Sequence, residues 1–415
     1  MSESMELAKE VIARCRQLAT FSEDTTGTRR TFLSPPMRDC HRELGEWAQR
    51  LGAAVRIDAA GNWRAVHPAE KIEGPRLLLG SHLDTVPNAG AFDGILGVVL
   101  AVSLLQALNG RRLPFGIEVV GFSEEEGVRF GAPFIGSRAL VGRLDEELLS
   151  RQDTHGISVR QAIADFGLSP EEIPGAVLKY DILGYLEFHI EQGPVLENLG
   201  RPLAAVEAIA GQDRLEFTFL GRTNHAGTTP MNLRYDALAG AAEWISAVER
   251  HAGQTSGLVA TVGKIDAKPG ATNVISGETR VTLDIRHAVD ESRGIALDDL
   301  IRLAEEIAQR RGLAVSRKVL LRQKAVAMDA LLVNQIELAI RQTGCRPHRM
   351  VSGAGHDAMI LAERVPSAMV FLRSPGGMSH DPAECVKVED VALAIECGLH
   401  LLDQLASSPA SQTGL

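Results

Sequence analysis

RLLLGSHLDTVPNAGAFDGILGVVLAVSLLQAL, residues 76 to 108, decides the architecture of this 415-residue chain. RLLLG is a continuous apolar run of the kind found in a strand covered on both faces. GILGVVLAVSLLQAL is too short to span a membrane comfortably and reads as a buried helix, which Asn109-Gly110 brings to a stop. Between them a turn-rich stretch carries His82, Asp84 and Asp93. Strand, polar turn, buried helix is the opening of an α/β unit.

Working outward, residues 4–19 and 37–51 have helical apolar spacing, 53–58 and 63–66 are strand-like, and GIEVVGF (116–122) and YLEFHI (185–190) are further buried strands. A mixed sheet flanked by helices is expected. From about residue 207 the texture changes. RLEFTFLG (214–221), LVATVGKID (258–266) and ETRVTLDIRH (278–287) alternate apolar and polar residues, with amphipathic helices over 235–251 and 295–311 and a last strand near residue 321. That β-α-β-β-α-β order predicts an inserted ferredoxin-like α+β domain with one sheet face left open. The expected boundaries are 1–206 and 323–415 for the outer domain and 207–322 for the insertion. A helix over 328–343, the turn SGAGHDAM, the strand SAMVFL and a helix over 388–406 return to α/β texture, and the tail ASSPASQTGL is expected to fray.

Composition narrows the function. Hydrophobic residues are 45%, charged residues 23%, and the net charge is −10, so the chain has an ordinary core and no general attraction for nucleic acid or anionic membranes. Five scattered cysteines without a C-x-x-C pair are neither a disulfide framework nor a zinc knuckle. With no signal-like N-terminus, a cytoplasmic protein is expected.

The chemistry-bearing residues are weak signals singly. Asp93 at a helix start reads as an N-cap, Glu124-Glu125-Glu126 as a solvated acidic loop, and His189 and His380 as rim or turn residues. All of them, however, lie next to strand ends or turns of one predicted sheet, where α/β proteins gather functional groups. Imidazoles with carboxylates suit zinc, manganese, cobalt or nickel, and a carboxylate can bridge two ions. A serine nucleophile in SGAGHDAM is disfavoured, since G-x-S-x-G is absent and no strand-turn-helix elbow is expected there.

GSHLDTV, AFDGILGV, FSEEEGVRF, FHIEQGPVLE, NHAGTTPM and MSHDPAE, in this order, resemble the dinuclear-metal amidohydrolases that include allantoate amidohydrolase, N-carbamoyl-L-amino-acid hydrolase and β-ureidopropionase. These lie within a larger group of metallo-aminoacylases and exopeptidases. The resemblance implies a zinc-exopeptidase-like outer domain and an inserted lid or dimerisation domain. It implies two divalent ions held by His82, Asp93, Glu126, His189 and His380, with Asp93 bridging, His82 and His189 on one ion, and Glu126 and His380 on the other. Asp84 would orient His82. Glu125 would be the general base, the ligand being placed immediately before Gly127 and Glu124 left over. His225 would hold the substrate carbonyl oxygen in a partner subunit's site, and Gln192, Asn273, Arg286, Gly355 and, more weakly, Gln212 would bind substrate. The implied reaction is hydrolysis of a ureido C–N bond in a carboxylate-bearing small molecule by a homodimer. A metallo-aminoacylase or dipeptidase, and a non-catalytic binding protein on the same fold, are the alternatives.

Overall fold

The computed structural model describes residues 2–71, 74–179 and 181–407. The expected frayed tail from 408 onward lies outside the described residues. The chain divides into two compact units, residues 1–207 with 328–415, and residues 208–327.

The first unit is organised by a mixed sheet. Across it the strands run Ala54–Ile57, Trp63–His67, Gly116–Phe122, Arg76–His82, Ile182–Ile190, Ser367–Leu372 and Leu203–Ile209. The four in the middle are parallel, Arg76–His82 pairing with both Gly116–Phe122 and Ile182–Ile190, and Ser367–Leu372 with Ile182–Ile190. The flanking pairs are antiparallel. Leu77, Leu78, Leu79, Ile117, Val119, Leu186, Phe188, Met369 and Val370 are buried, as strands covered on both faces require.

Helix Ile95–Leu108 lies on this sheet and beneath helices Glu3–Ala19 and Val388–Ala406. Packed on two sides, it is apolar around most of its circumference. From Arg76–His82 the chain crosses to one neighbour, Gly116–Phe122, and later to the other, Ile182–Ile190. The crevice beyond the carboxyl ends of these strands is therefore a topological switch point, where α/β sheets bind ligands. Asp93 departs from its expected place as helix cap. The helix starts at Ile95, its N-cap is Gly94 in a positive-φ conformation (φ 69°), and no side chain caps it. The Asp93 carboxylate is left for other work.

The second unit is a four-stranded antiparallel sheet in the order Ala314–Gln323, Gly211–Leu220, Glu278–His287, Val259–Lys268, with helices Ala237–Gln254 and Asp290–Arg311 on one face. Leu215, Phe217, Phe219, Val281, Leu283 and Ile285 point into a core with Trp244, Leu297, Leu300 and Ile307. Alternate residues of the same strands face away from it. This is the ferredoxin-like arrangement that the alternation predicts.

A candidate dinuclear metal centre

Four backbone segments leaving the carboxyl ends of the parallel strands converge on Asp93. His82 is the last residue of its strand and is 1% exposed; His189 is the penultimate residue of its own, also 1% exposed. Their Nε2 atoms are 3.4 Å apart, and each is 3.3 Å from Asp93 Oδ1. On the other side of the same carboxylate, His380 Nε2 lies 3.5 Å from Asp93 Oδ2 and 3.6 Å from Glu126 Oε1. The two groups, His82-Asp93-His189 and Asp93-Glu126-His380, could each hold a metal ion, and they share Asp93.

The inner group has the dimensions of a metal site. Donors about 2.0–2.1 Å from a tetrahedral zinc sit about 3.4 Å from one another, and the three inner distances are 3.3, 3.3 and 3.4 Å. Asp93 Oδ1 is buried with no hydrogen-bond donor on it. A buried carboxylate oxygen in that condition is costly unless a cation faces it.

Titration behaviour has the same origin. Burial alone would raise the Asp93 carboxyl, but His189 and His82 outweigh it and hold the group well below the usual carboxylate range. Burial likewise works against protonation of His82, yet Asp84 and Asp93 lift it well above an ordinary imidazole, and Asp93 lifts His189. Glu126 is pushed up to about 8 by burial and then by Asp93, and Glu125 is pushed well above its normal value, chiefly by burial. Without a cation the cluster gathers protons; divalent ions would take their place.

The supporting geometry is specific. His82 Nδ1 lies 2.9 Å from the Asp84 backbone carbonyl but 3.6 Å from its carboxylate. The expected role of Asp84 is thus divided: its carbonyl orients the imidazole, while its two carboxylate oxygens accept the backbone N–H groups of Glu125 and Glu126. Asp84 thereby ties the turn carrying one candidate ligand to the turn carrying another. Glu124 is turned the other way, accepting N–H bonds from Phe32 and Arg129. Its surroundings are those of a loop pin, which separates it from its two neighbours. Gly94 is also required, because a Cβ there would lie 2.4 Å from the His82 ring.

The structure brings Gln192 to the cluster, its Nε2 donating to Asp93 Oδ2 at 2.8 Å. Gly355 lies beside His356 in the turn before helix Asp357–Leu361, where a Cβ would crowd the Phe134 ring at 3.0 Å. That turn corrects one expectation, for strand Arg349–Ser352 does lead through it into a helix. Ser352 Oγ also lies 2.9 Å from His356 Nε2. It is no nucleophile, because Ser352 is 1% exposed and its hydroxyl donates to the Ala354 carbonyl.

The remaining candidates belong to the second unit. His225 and Val274 are paired residues of a short antiparallel ladder, and the Asn273 carbonyl accepts the Ala226 N–H, so His225 and Asn273 are neighbours. His225 Nδ1 accepts N–H bonds from Gly227 and Thr228 at 3.0 and 3.2 Å, which leaves the neutral ring with its proton on Nε2. Arg286 and Gln212 are direct cross-strand partners. Asp284 grips the Arg286 guanidinium with both oxygens, and Gln212 donates to Gln323.

Residues that sequence reading left unassigned complete the site. Ser379 Oγ donates to Asp93 Oδ2 at 2.8 Å, and Glu384 accepts from the Asp93 backbone. Glu187, buried, takes the Ser81 hydroxyl and the Ala358 N–H, and the His356 ring packs 4.5 Å from that of His189. Burial keeps His356 neutral, well below an ordinary imidazole. Ser379 and Glu384 flank His380 in MSHDPAE, so the signal was present but not interpretable without the fold.

The family model for Peptidase family M20/M25/M40 matches residues 78–404. An allantoate deiminase of Arabidopsis thaliana is 38% identical over 435 residues, covering 97% of this chain and 82% of its own length. An N-carbamoyl-L-amino acid amidohydrolase of Geobacillus stearothermophilus is 38% identical over 383 residues, 92% of this chain and 94% of its own. Among solved structures, an amidase of the hydantoinase/carbamoylase family from Burkholderia multivorans superposes with a TM-score of 0.91 at 30% identity, covering 97% of this chain and 98% of that one. The matched span includes all five candidate metal ligands, and the chain belongs to Peptidase family M20/M25/M40.

Proposed function

We propose that this chain is an amidohydrolase that cleaves the C–N bond of a ureido or carbamoyl group in a small carboxylate-bearing molecule, allantoate or an N-carbamoyl-L-amino acid. The observation that carries the reading is the single carboxylate of Asp93 set between His82 with His189 and His380 with Glu126. The names of the allantoate deiminase and carbamoyl-amino-acid amidohydrolase relatives support the bond type and the substrate class. His82, Asp93, Glu126, His189 and His380 would hold two divalent ions, zinc or manganese with cobalt or nickel also compatible. Bound there, the ions would supply Lewis acidity and lower the pKa of the attacking water.

The chain's own residues do the rest. Glu125, buried beside the ligands, takes the proton from the attacking water and returns it to the leaving nitrogen as the C–N bond breaks. Burial raises its proton affinity, which suits a group that must hold the proton between those two steps. His225 presents Nε2–H to the substrate carbonyl oxygen, where charge grows in the transition state. Arg286 forks onto the substrate carboxylate, with Asn273, Gln192, Gly355 and Gln212 lining the remainder. Hydrolysis of a carbamoyl group then releases ammonia and carbon dioxide and leaves the free amine. The inserted domain would act as lid and dimerisation surface, and the protein as a cytoplasmic homodimer whose His225 serves the partner subunit.

A panel of allantoate, N-carbamoyl-L-amino acids, N-acyl amino acids and dipeptides, assayed for ammonia and free amine after reconstitution with each metal, tests the proposal. Ammonia from a ureido acid is expected; cleavage of acyl substrates alone would transfer the chain to the aminoacylases. Glu125→Gln should retain its metal and lose about 10²- to 10⁴-fold in turnover, and undiminished turnover would remove Glu125 from the mechanism.

A further inference from the structure

A bridging carboxylate must be held in place by something other than the ions it bridges. Asp93 lies just before the following helix, whose Leu96 and Ile95 N–H groups engage the Phe92 and Asp93 carbonyls and leave the N–H groups of this segment to other partners. Those N–H groups are held from 291 residues away: Glu384 Oε1 accepts the N–H groups of both Phe92 and Asp93, each at 2.9 Å. One carboxylate oxygen has the lone pairs for both bonds. Glu384 is 5% exposed, so these bonds are shielded from water. The preceding turn is shaped around the same group. A Cβ on Gly90 would fall 2.5 Å from Glu384 Cβ and 2.9 Å from its Oε1, so only glycine allows the carboxylate to approach this backbone.

The segment carrying Glu384 also brings Ser379 and His380 to the side chain of Asp93. One loop therefore grips Asp93 at both backbone and carboxylate. We propose that Glu384 is a positioning residue: by clamping the Phe92–Asp93 backbone it sets where the Asp93 carboxylate stands between the two metal subsites. This rests on the metal-centre reading above. Both bonds go to backbone N–H groups of the Asp93 segment, so the effect of Glu384 on the metal subsites would run through Asp93.

Chelator-stripped protein titrated with zinc against a chromophoric chelator, and with cobalt followed by its absorption spectrum, tests the clamp without measuring turnover. Glu384→Ala should bind zinc about 10- to 100-fold more weakly, as loss of an outer partner does elsewhere, and should alter the cobalt bands. Glu384→Gln keeps an oxygen acceptor and should restore affinity and spectrum. Gly90→Ala should reproduce the alanine defect by displacing Glu384 without removing it. Far-UV circular dichroism of each stripped variant checks folding; should Glu384→Ala not fold, Gly90→Ala and Glu384→Gln decide the matter between them. Wild-type affinity and spectrum in Gly90→Ala would overturn the proposal, and so would Glu384→Gln binding as weakly as Glu384→Ala, since charge rather than the acceptor would then matter. Wild-type protein that takes up no zinc or cobalt would instead overturn the metal-centre reading.

Discussion

The candidate residues of the two units are held in opposite ways. In the first unit His82, Asp93, Glu125 and His189 are all buried; the two imidazoles rest on carbonyls one and two residues away, while the backbones that carry Asp93 and Glu125 are pinned by Glu384 and Asp84 from segments distant in sequence. In the second, His225 and Asn273 are exposed, and Arg286 is part-buried on a sheet strand, its partner Asp284 only two residues away. Charge that must stay clustered is buried and pinned by many elements. The groups proposed to meet a soluble substrate are presented at the surface and oriented locally, by a turn or by one neighbour on the same strand.

The contrast is most exposed to test at Asp93. Asp93→Ala removes the one group common to both subsites, so bound metal measured by mass spectrometry should fall close to zero per chain, and ammonia release with it. Retention of one tightly bound ion would mean that the subsites are separable and that the bridge is not the organising feature.

His225→Ala should behave differently. Its local turn, held by the Gly227 and Thr228 N–H groups and by Arg234 donating to the Ala226 and Thr229 carbonyls, contains no candidate ligand. Metal content should stay at the wild-type level while kcat falls about 10²- to 10³-fold, the cost of one oxyanion donor. Loss of metal in this variant would break the division of labour.

Arg286→Ala should act chiefly on KM. A charge-assisted fork to a carboxylate contributes about 1.5–3 kcal/mol, or roughly 10- to 100-fold. Arg286→Lys should recover only part of it, because an ammonium cannot fork. A fall in kcat with KM unchanged would move Arg286 from ground-state binding to the chemical step.

The fold was readable wherever one periodicity ran without interruption. RLLLG, GIEVVGF and the alternating strands of the second unit each declare which faces they bury, and a two-layer insertion follows from their order. The candidate ligand set was readable only jointly, since His189 or His380 alone is an ordinary histidine. What could not be read is whatever depends on contacts between distant segments. Glu384 and Asp84 act through backbone N–H groups, which leave no side-chain pattern, and Asp93 mimics a helix cap until the helix is seen to begin at Ile95. Glu124 differs from Glu125 and Glu126 only in facing Phe32 and Arg129, a fact of tertiary structure.

The smallest expected effect concerns the buried cluster without its ions. Glu126 is raised from 4.5 to about 8 and Glu384 from 4.5 to about 7, in both cases first by burial and then by Asp93. Between pH 5 and pH 8 the folded, metal-free cluster therefore keeps carboxyl protons that the unfolded chain has released, which lowers stability as pH rises through that window, while His41 and His356, buried neutral, pull the other way below about pH 6.5. His82 and His189 tilt the slope the same way as the carboxyls. Their folded values are raised despite burial, so their contribution is complete below about pH 6.5, the unfolded value, and is lost as pH climbs through the folded one. Chelated protein should accordingly melt a few degrees lower at pH 8 than at pH 5.5. Metal-loaded protein should lack this slope or reverse it, because ions and protons compete for the same lone pairs and higher pH favours the ions. A chelated protein that melts higher at pH 8 than at pH 5.5 would show that the carboxylates of the cluster are solvated, and the contrast between a buried, proton-gathering centre and an exposed set of proposed substrate contacts would not stand.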